Sequence, residues 1–284
     1  MKTAGLLPYY YVHGDSNKGI ALLQDTVSIF SKFLDKVFVV DDGAGLLEIK
    51  CGELIHHPVN RGQSEAIRTG LRKILQDSDI GYIIESDADK DQNPEEGAKF
   101  LQYFQQSGIH PNDQVLLIGD RYTPPEFKTP IEYRRCINDL QLALFSQLGC
   151  PVRDTVSGLR AYTSSFARKI VEKSTSRNYG IHTEEVVIAG LTGAKVDNVP
   201  LSYSRPRDPF TKAGKLVEIL DAILCHAEEL HEKGYAHIVD SVGDVRDKIE
   251  SRQHSFSFNS TVLGLPGIVT FTLVENDAYT AKVH

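Results

Sequence analysis

Short aliphatic runs alternate along this chain with longer segments whose apolar residues recur every three or four positions. The runs at 3–8 (TAGLLP), 36–43 (KVFVVDDG), 52–58 (GELIHHP), 81–87 (GYIIESD), 113–121 (DQVLLIGDR), 158–164 (GLRAYTS) and 194–204 (AKVDNVPLSYS) predict strands. Between them, 16–34, 62–77, 93–106, about 131–148, 183–193 and 214–234 carry the helical period. Asn93 precedes Pro94 at the start of its helix, an N-cap followed by the residue suited to a first turn. Strands apolar on both faces and separated by helices predict an α/β fold, a mostly parallel sheet sandwiched by helices.

The pattern changes near the end. Residues 240–254 are polar and predict a loop or short helix, and 254–284 alternates apolar and polar around the turn sequence GLPG, as a β-hairpin does. The chain therefore divides into a main domain, 1–233, and a C-terminal helix and hairpin appendage, 234–284, able to pair with the sheet or with a second copy as a homo-oligomer.

Ligands of parallel sheets gather at the carboxyl ends of the strands. That edge receives Asp41, Asp42, Asp87, Asp89, Asp120 and Arg121. Asp87 and Asp89 follow a buried strand and could hold a hard divalent cation, Mg2+ or Mn2+, which takes one or two carboxylates plus phosphate oxygens. Spacing alone leaves a solvated acidic turn open, because D-x-D also occurs at 77–79 and 89–91. Arg121 suits either a diphosphate contact or an ion pair with Asp120 or Asp89. Arg205, Arg207, Lys212 and Lys215 concentrate positive charge in a loop suited to clamping phosphate or to plain solvation. Arg68 lies on the basic face of the helix after NRG, whose start offers a modest anion site. Glu184, in the first turn of its helix, suits either a general base or favourable interaction with the helix dipole.

Composition narrows the classes. A net charge of −7 excludes a chain whose task is coating nucleic acid. No run of eighteen apolar residues exists, so membrane contact is expected to be peripheral, and a cytoplasmic address follows by default. Four scattered cysteines without a C-x-x-C pair predict reduced thiols.

Taken in order, VFVVDDGAG, NRGQSEAIRTGL, IIESDADKDQNPEE, LLIGDRY, VRDTVSGLRAYTSSFARKI and KVDNVPLSYSRPR resemble the family 2 inverting glycosyltransferases of GT-A (Rossmann-like) fold. They are nearest to the branch of dolichyl-phosphate mannose synthase and other polyprenyl-phosphate glycosyltransferases, and the likeness covers about residues 36–207. The resemblance implies a metal-dependent transfer of sugar from a nucleotide-diphosphate sugar to an acceptor hydroxyl or lipid phosphate, possible acceptors including polyprenyl phosphate. It implies that Pro8, Tyr10, Asp41, Asp42, Arg68, Asp87, Arg121, Arg205 and Lys212 surround the donor, with Asp87 and Asp89 on the metal. Gly119 belongs to the G-x-R segment, and Ser157, Gly158 and Arg160 come near the acceptor. Glu184 and Asp89 are the implied catalytic residues. The family's P-x-Y-N-E continues here with Tyr11 and Val12 in place of Asn and Glu. A retaining transferase acting on a small acid or phosphate, and a nucleotide-sugar-binding protein without catalysis, stay open as alternatives.

Overall fold

The computed structural model describes residues 1–10, 16–46, 48–88, 92–121, 141, 144–155, 157–202, 213–259, 268–274 and 278–283. Among these, seven strands form one sheet in the order β3-β2-β1-β4-β6-β5-β7. They are β1 (Lys2–Tyr9), β2 (Lys36–Asp42), β3 (Glu53–His57), β4 (Ile80–Glu85), β5 (Val115–Asp120), β6 (Arg160–Thr163) and β7 (Lys195–Pro200). All run parallel except β6, which lies antiparallel between β4 and β5. The parallel strands bring Tyr9, Asp42, Glu85 and Asp120 to one edge, and the reversed β6 brings its first residue, Arg160, to the same edge opposite Glu85.

The sheet is covered on both faces because successive strand residues point opposite ways. Leu6, Val40, Ile83 and Tyr162 join one apolar cluster and Leu7, Val39, Ile84 and Ala161 the other. The first cluster packs against α2 (Gln63–Ile74), α4 (Ser164–Lys173), α5 (Ile181–Thr192) and α6 (Ala213–Leu224). The second packs against α1 (Ser16–Phe30) and α3 (Gly97–Gln106). A single 3-10 turn at Pro94–Glu96 precedes α3, and the Asn93 side chain accepts from Glu95 N as the sequence predicts.

Two helical expectations change. The segment 214–234 is not one helix, since α6 ends at Leu224 and α7 (Ala227–Glu232) begins after a turn at His226, whose ring faces Glu184. The polar stretch after it, expected as a loop or short helix, is a helix of 15 residues, α8 (Ala236–Glu250). Ile238, Val242, Val245 and Ile249 fall on one face at steps of four, three and four, and all four are buried in the first cluster. α8, which lies beyond the expected boundary at 233/234, packs into the main core. The tail forms a three-stranded antiparallel meander, β8 (Ser255–Asn259), β9 (Ile268–Val274) and β10 (Ala278–Val283), one strand more than the hairpin expected. The helix expected over 131–148 lies mostly outside the described residues.

Candidate active site

The carboxyl edge is built from side chains that first satisfy the backbone. Asp41 and Asp42 are both buried where β2 ends. Asp41 accepts from Ala44 N at 2.7 Å and Leu46 N at 2.8 Å, closing the loop after the strand. Asp42 accepts from Arg61 N and Gly62 N, each at 2.8 Å, and its Oδ1 lies 2.7 Å from His57 Nδ1. A carboxylate with several donors has little capacity left for a ligand. The pair expected to contact the donor shapes the two loops at this edge. Pro8 is buried within β1, and Tyr10 just beyond is 47% exposed.

Asp87 follows β4 and is half-buried. Gln63 Nε2 donates to its Oδ1 at 3.1 Å. The rest of the carboxylate lies across the backbone of Gly158: a β-carbon added there would stand 2.1 Å from Asp87 Oδ2. Only glycine admits this approach. The neighbouring Ser157 hydroxyl accepts from Gln92 Nε2 at 3.1 Å, and buried Gln92 Oε1 has no hydrogen-bond partner among the described residues. Gln92 carries no sequence signal that would have marked it.

Arg121 finds a partner that the sequence did not name. Its Nε and Nη2 donate to the two oxygens of Asp154 at 2.5 and 2.9 Å, a buried bidentate pair. The G-x-R segment is thereby clamped to the start of the D-x-x-S-G-x-R segment. Arg160 is wholly buried rather than facing an acceptor. It donates to the carbonyls of Ser157 (2.8 Å), Thr155 (2.8 Å) and His182 (2.7 Å) and to Glu185 Oε2 (3.0 Å). Its place in the motif is structural: it fixes the loop that presents Ser157 and Gly158.

Beneath Asp87, Glu85 Oε1 lies 2.7 Å from His182 Nε2, and Tyr162 donates its hydroxyl to Glu85 Oε2. Glu185 Oε1 lies 3.0 Å from the same hydroxyl oxygen. Burial pushes Glu85 up to about 7 against the opposing pull of Tyr162 and Arg160. Burial and the neighbouring Glu85 push Glu185 up to about 7 as well, while burial and Arg160 hold His182 down at about 4. The floor of the edge is therefore close to neutral, with Arg160 the fixed charge.

Glu184 lies apart from this group. Its buried carboxylate accepts from Thr175 N at 2.7 Å, Ser176 N at 3.1 Å and the Ser174 hydroxyl, and its Oε1 is 3.0 Å from His226 Nε2. Burial alone would raise this group, but the donors from His226, Ser174, Ser176 and Thr175 prevail and hold it at about 2. A carboxylate so held is a poor proton acceptor at neutral pH. Arg68 acts on the same loop, donating to Ser174 Oγ at 3.0 Å and Ser176 O at 2.8 Å rather than facing a donor. The start of α2 is likewise occupied, because Ser64 N donates to Asn178 O at 2.8 Å.

Asp89, Arg205 and Lys212 lie outside the described residues, and among those described no three His, Cys, Asp or Glu side chains form a metal cluster. The residues present are compatible with a hard cation beside Asp87. A half-buried carboxylate stands at a strand end, and an unpaired amide oxygen flanks the adjoining serine.

No protein-family profile matches the chain. The UDP-N-acetylglucosamine–dolichyl-phosphate N-acetylglucosaminyltransferase of Methanococcus voltae is 29% identical over 151 residues, 52% of this chain and 57% of that enzyme. The alignment thus spans little more than half of the relative's length. The structure of mannosyl-3-phosphoglycerate synthase from Rubrobacter xylanophilus superposes with a TM-score of 0.57 at 11% identity, over 100% of this chain and 85% of that one. The fold is that of the GT-A glycosyltransferases. Glucosyl-3-phosphoglycerate synthase from Mycobacterium tuberculosis, in complex with phosphoglyceric acid, agrees with a TM-score of 0.54 at 16% identity, covering 80% and 79% of the two chains. The GT-A likeness covers the whole sheet edge from which the site is assembled.

Proposed function

We propose that this protein is a glycosyltransferase that takes a sugar from a nucleotide-diphosphate sugar at the carboxyl edge of its sheet. The observation that carries the reading is Asp87 laid across Gly158, a carboxylate given room by a missing side chain where a GT-A fold opens. Asp87 and Asp89 would hold Mg2+ or Mn2+. When bound, such an ion neutralises charge that develops on the departing diphosphate. The chain's own residues do the positioning. Gln63 orients Asp87, Arg160 fixes the Ser157–Gly158 loop from below, and the Arg121–Asp154 pair ties that loop to the end of β5.

Transfer is proposed to invert the anomeric centre. An acceptor oxygen forms its bond to the anomeric carbon as the bond to the diphosphate breaks. A phosphate acceptor, already ionised at neutral pH, attacks without a general base, and this suits a site whose expected base, Glu184, is committed to a loop. The relative's dolichyl-phosphate acceptor supports the same choice. The test is a thermal-shift screen of UDP, GDP, CDP and dTDP with and without Mn2+, then transfer from the matching donor to a short polyprenyl phosphate or to 3-phosphoglycerate. Product configuration is read by NMR. The expected result is a metal-dependent shift with one base and transfer to the lipid phosphate, both lost in Asp87→Ala. Near-normal turnover in that variant sinks the site, retention sinks the displacement, and transfer to 3-phosphoglycerate alone sinks the acceptor.

A further inference from the structure

The loop between α4 and α5 is held from several sides at once. Glu184 takes the N–H groups of Thr175 and Ser176, and Arg68 donates to Ser174 and to the Ser176 carbonyl. Ser64 donates both its backbone N–H and its hydroxyl to Asn178 O, each at 2.8 Å. Asn178 Nδ2 donates to Glu218 Oε1 at 2.7 Å. Asn178 itself has a φ of 46°, a left-handed conformation that non-glycine residues hold where their surroundings determine it.

What this bracing leaves in solvent is the next side chain. Tyr179 is 47% exposed, and Lys215 Nζ lies 3.9 Å from the centroid of its ring. The residue stands at the proposed site. Gln63 reaches Asp87, and its neighbour Gly62 packs so closely on Asn178 that a β-carbon would lie 2.3 Å from Asn178 Oδ1. Consistently, burial, Glu218, Asp87 and Tyr10 all push the Tyr179 hydroxyl upward. Of the four large apolar side chains exposed among the described residues, Tyr10 and Tyr179 are two that lie close enough to act on each other electrostatically. A rigid aromatic presented to solvent loses little entropy when it binds, and the ammonium supplies positive charge to an edge whose strand ends are rich in Asp.

We propose that Tyr179 and Lys215 form a subsite for a phosphate-bearing substrate, the ring packing on a sugar or base and the ammonium pairing with a phosphate oxygen. The proposal rests on the transferase reading and adds residues that reading does not use. The phosphate belongs either to the donor's diphosphate or to the acceptor, and binding separates the two.

Calorimetry on the full chain uses UDP, GDP, CDP and dTDP with Mn2+ in one arm, and farnesyl phosphate and 3-phosphoglycerate in the other. Tyr179→Ala and Lys215→Ala should each weaken one arm about tenfold, the scale of a lost charged hydrogen bond or stacking contact. Tyr179→Phe should stay within about twofold of the wild type, because the ring is kept. Melting temperatures should stay close to that of the wild type for Tyr179→Ala, whose ring is 47% exposed. Wild-type protein that binds none of the probes overturns the transferase reading and the subsite with it. Wild-type binding that both alanine variants match overturns the subsite alone.

Discussion

Glu184→Gln separates a residue that holds a loop from one that moves a proton. The carboxylate is buried, and its folded pKa is about 2 against an ordinary 4.5. A depression of this size corresponds to about 3 kcal/mol of stability at neutral pH, at roughly 1.4 kcal/mol per unit. The amide keeps the shape but turns an N–H2 toward groups that are themselves donors, Thr175 N, Ser176 N and the Ser174 hydroxyl. A chain of 284 residues has an unfolding entropy of about 0.6 kcal/mol/K, so the variant should melt about 5 °C lower. The pH dependence has a definite sign. A lowered carboxylate contributes stability that is complete above about pH 4.5 and is lost as pH falls toward 2. The gap between wild type and variant should therefore close across that window in thermal melts followed by circular dichroism. An unchanged melting temperature at pH 7, together with transfer reduced more than about a hundredfold, would show a general base and refute the loop assignment.

Gly158→Ala should leave the fold intact and damage the site. The new methyl meets the flexible end of Asp87 rather than backbone, so Asp87 must swing away. Metal-dependent nucleotide affinity, measured by calorimetry, should fall at least about tenfold with little change in melting temperature. Glu85→Gln should show a pH dependence opposite to that of Glu184. Burial raises this carboxyl to about 7, so its contribution is present below about 4.5 and lost as pH rises through 7. From pH 5 to pH 8 the variant should gain on the order of 2 kcal/mol relative to wild type in urea unfolding. A constant difference between the two would mean that Glu85 titrates normally.

The alternation of aliphatic runs and helical periods was enough to place β1 to β5, β7, α2 and α3, because each buries a face that the local pattern declares. The antiparallel direction of β6 was not visible, since a four-residue strand reads the same either way. The full length of α8 was missed because its buried face is only four residues set among charges. At the site, residue types and order pointed to the carboxyl edge but not to the distant groups that its side chains bond. Arg68 and Ser176 are 108 positions apart, and Arg121 meets Asp154 across 33. Whether a polar side chain faces substrate or a distant backbone group is decided by tertiary packing, and no local spacing encodes that. Gly158 was recognised as part of a motif, yet its reason, the absent β-carbon beneath Asp87, is spatial.

The reversed strand has a consequence for how the protein becomes functional. β4 and β5 follow one another along the chain and run parallel but do not pair, and among the described residues β6 joins β1–β4 to the pair β5 and β7. Its insertion requires a chain segment some 75 residues beyond β4 to return between two strands already made, the kind of non-local closure that slows folding. The same insertion carries Gly158 up to Asp87. On the proposed reading, sheet completion also completes the candidate site, and a chain stalled before it would lack the place for a nucleotide. A ligand that recognises the finished edge would draw the folding equilibrium toward the joined sheet by mass action.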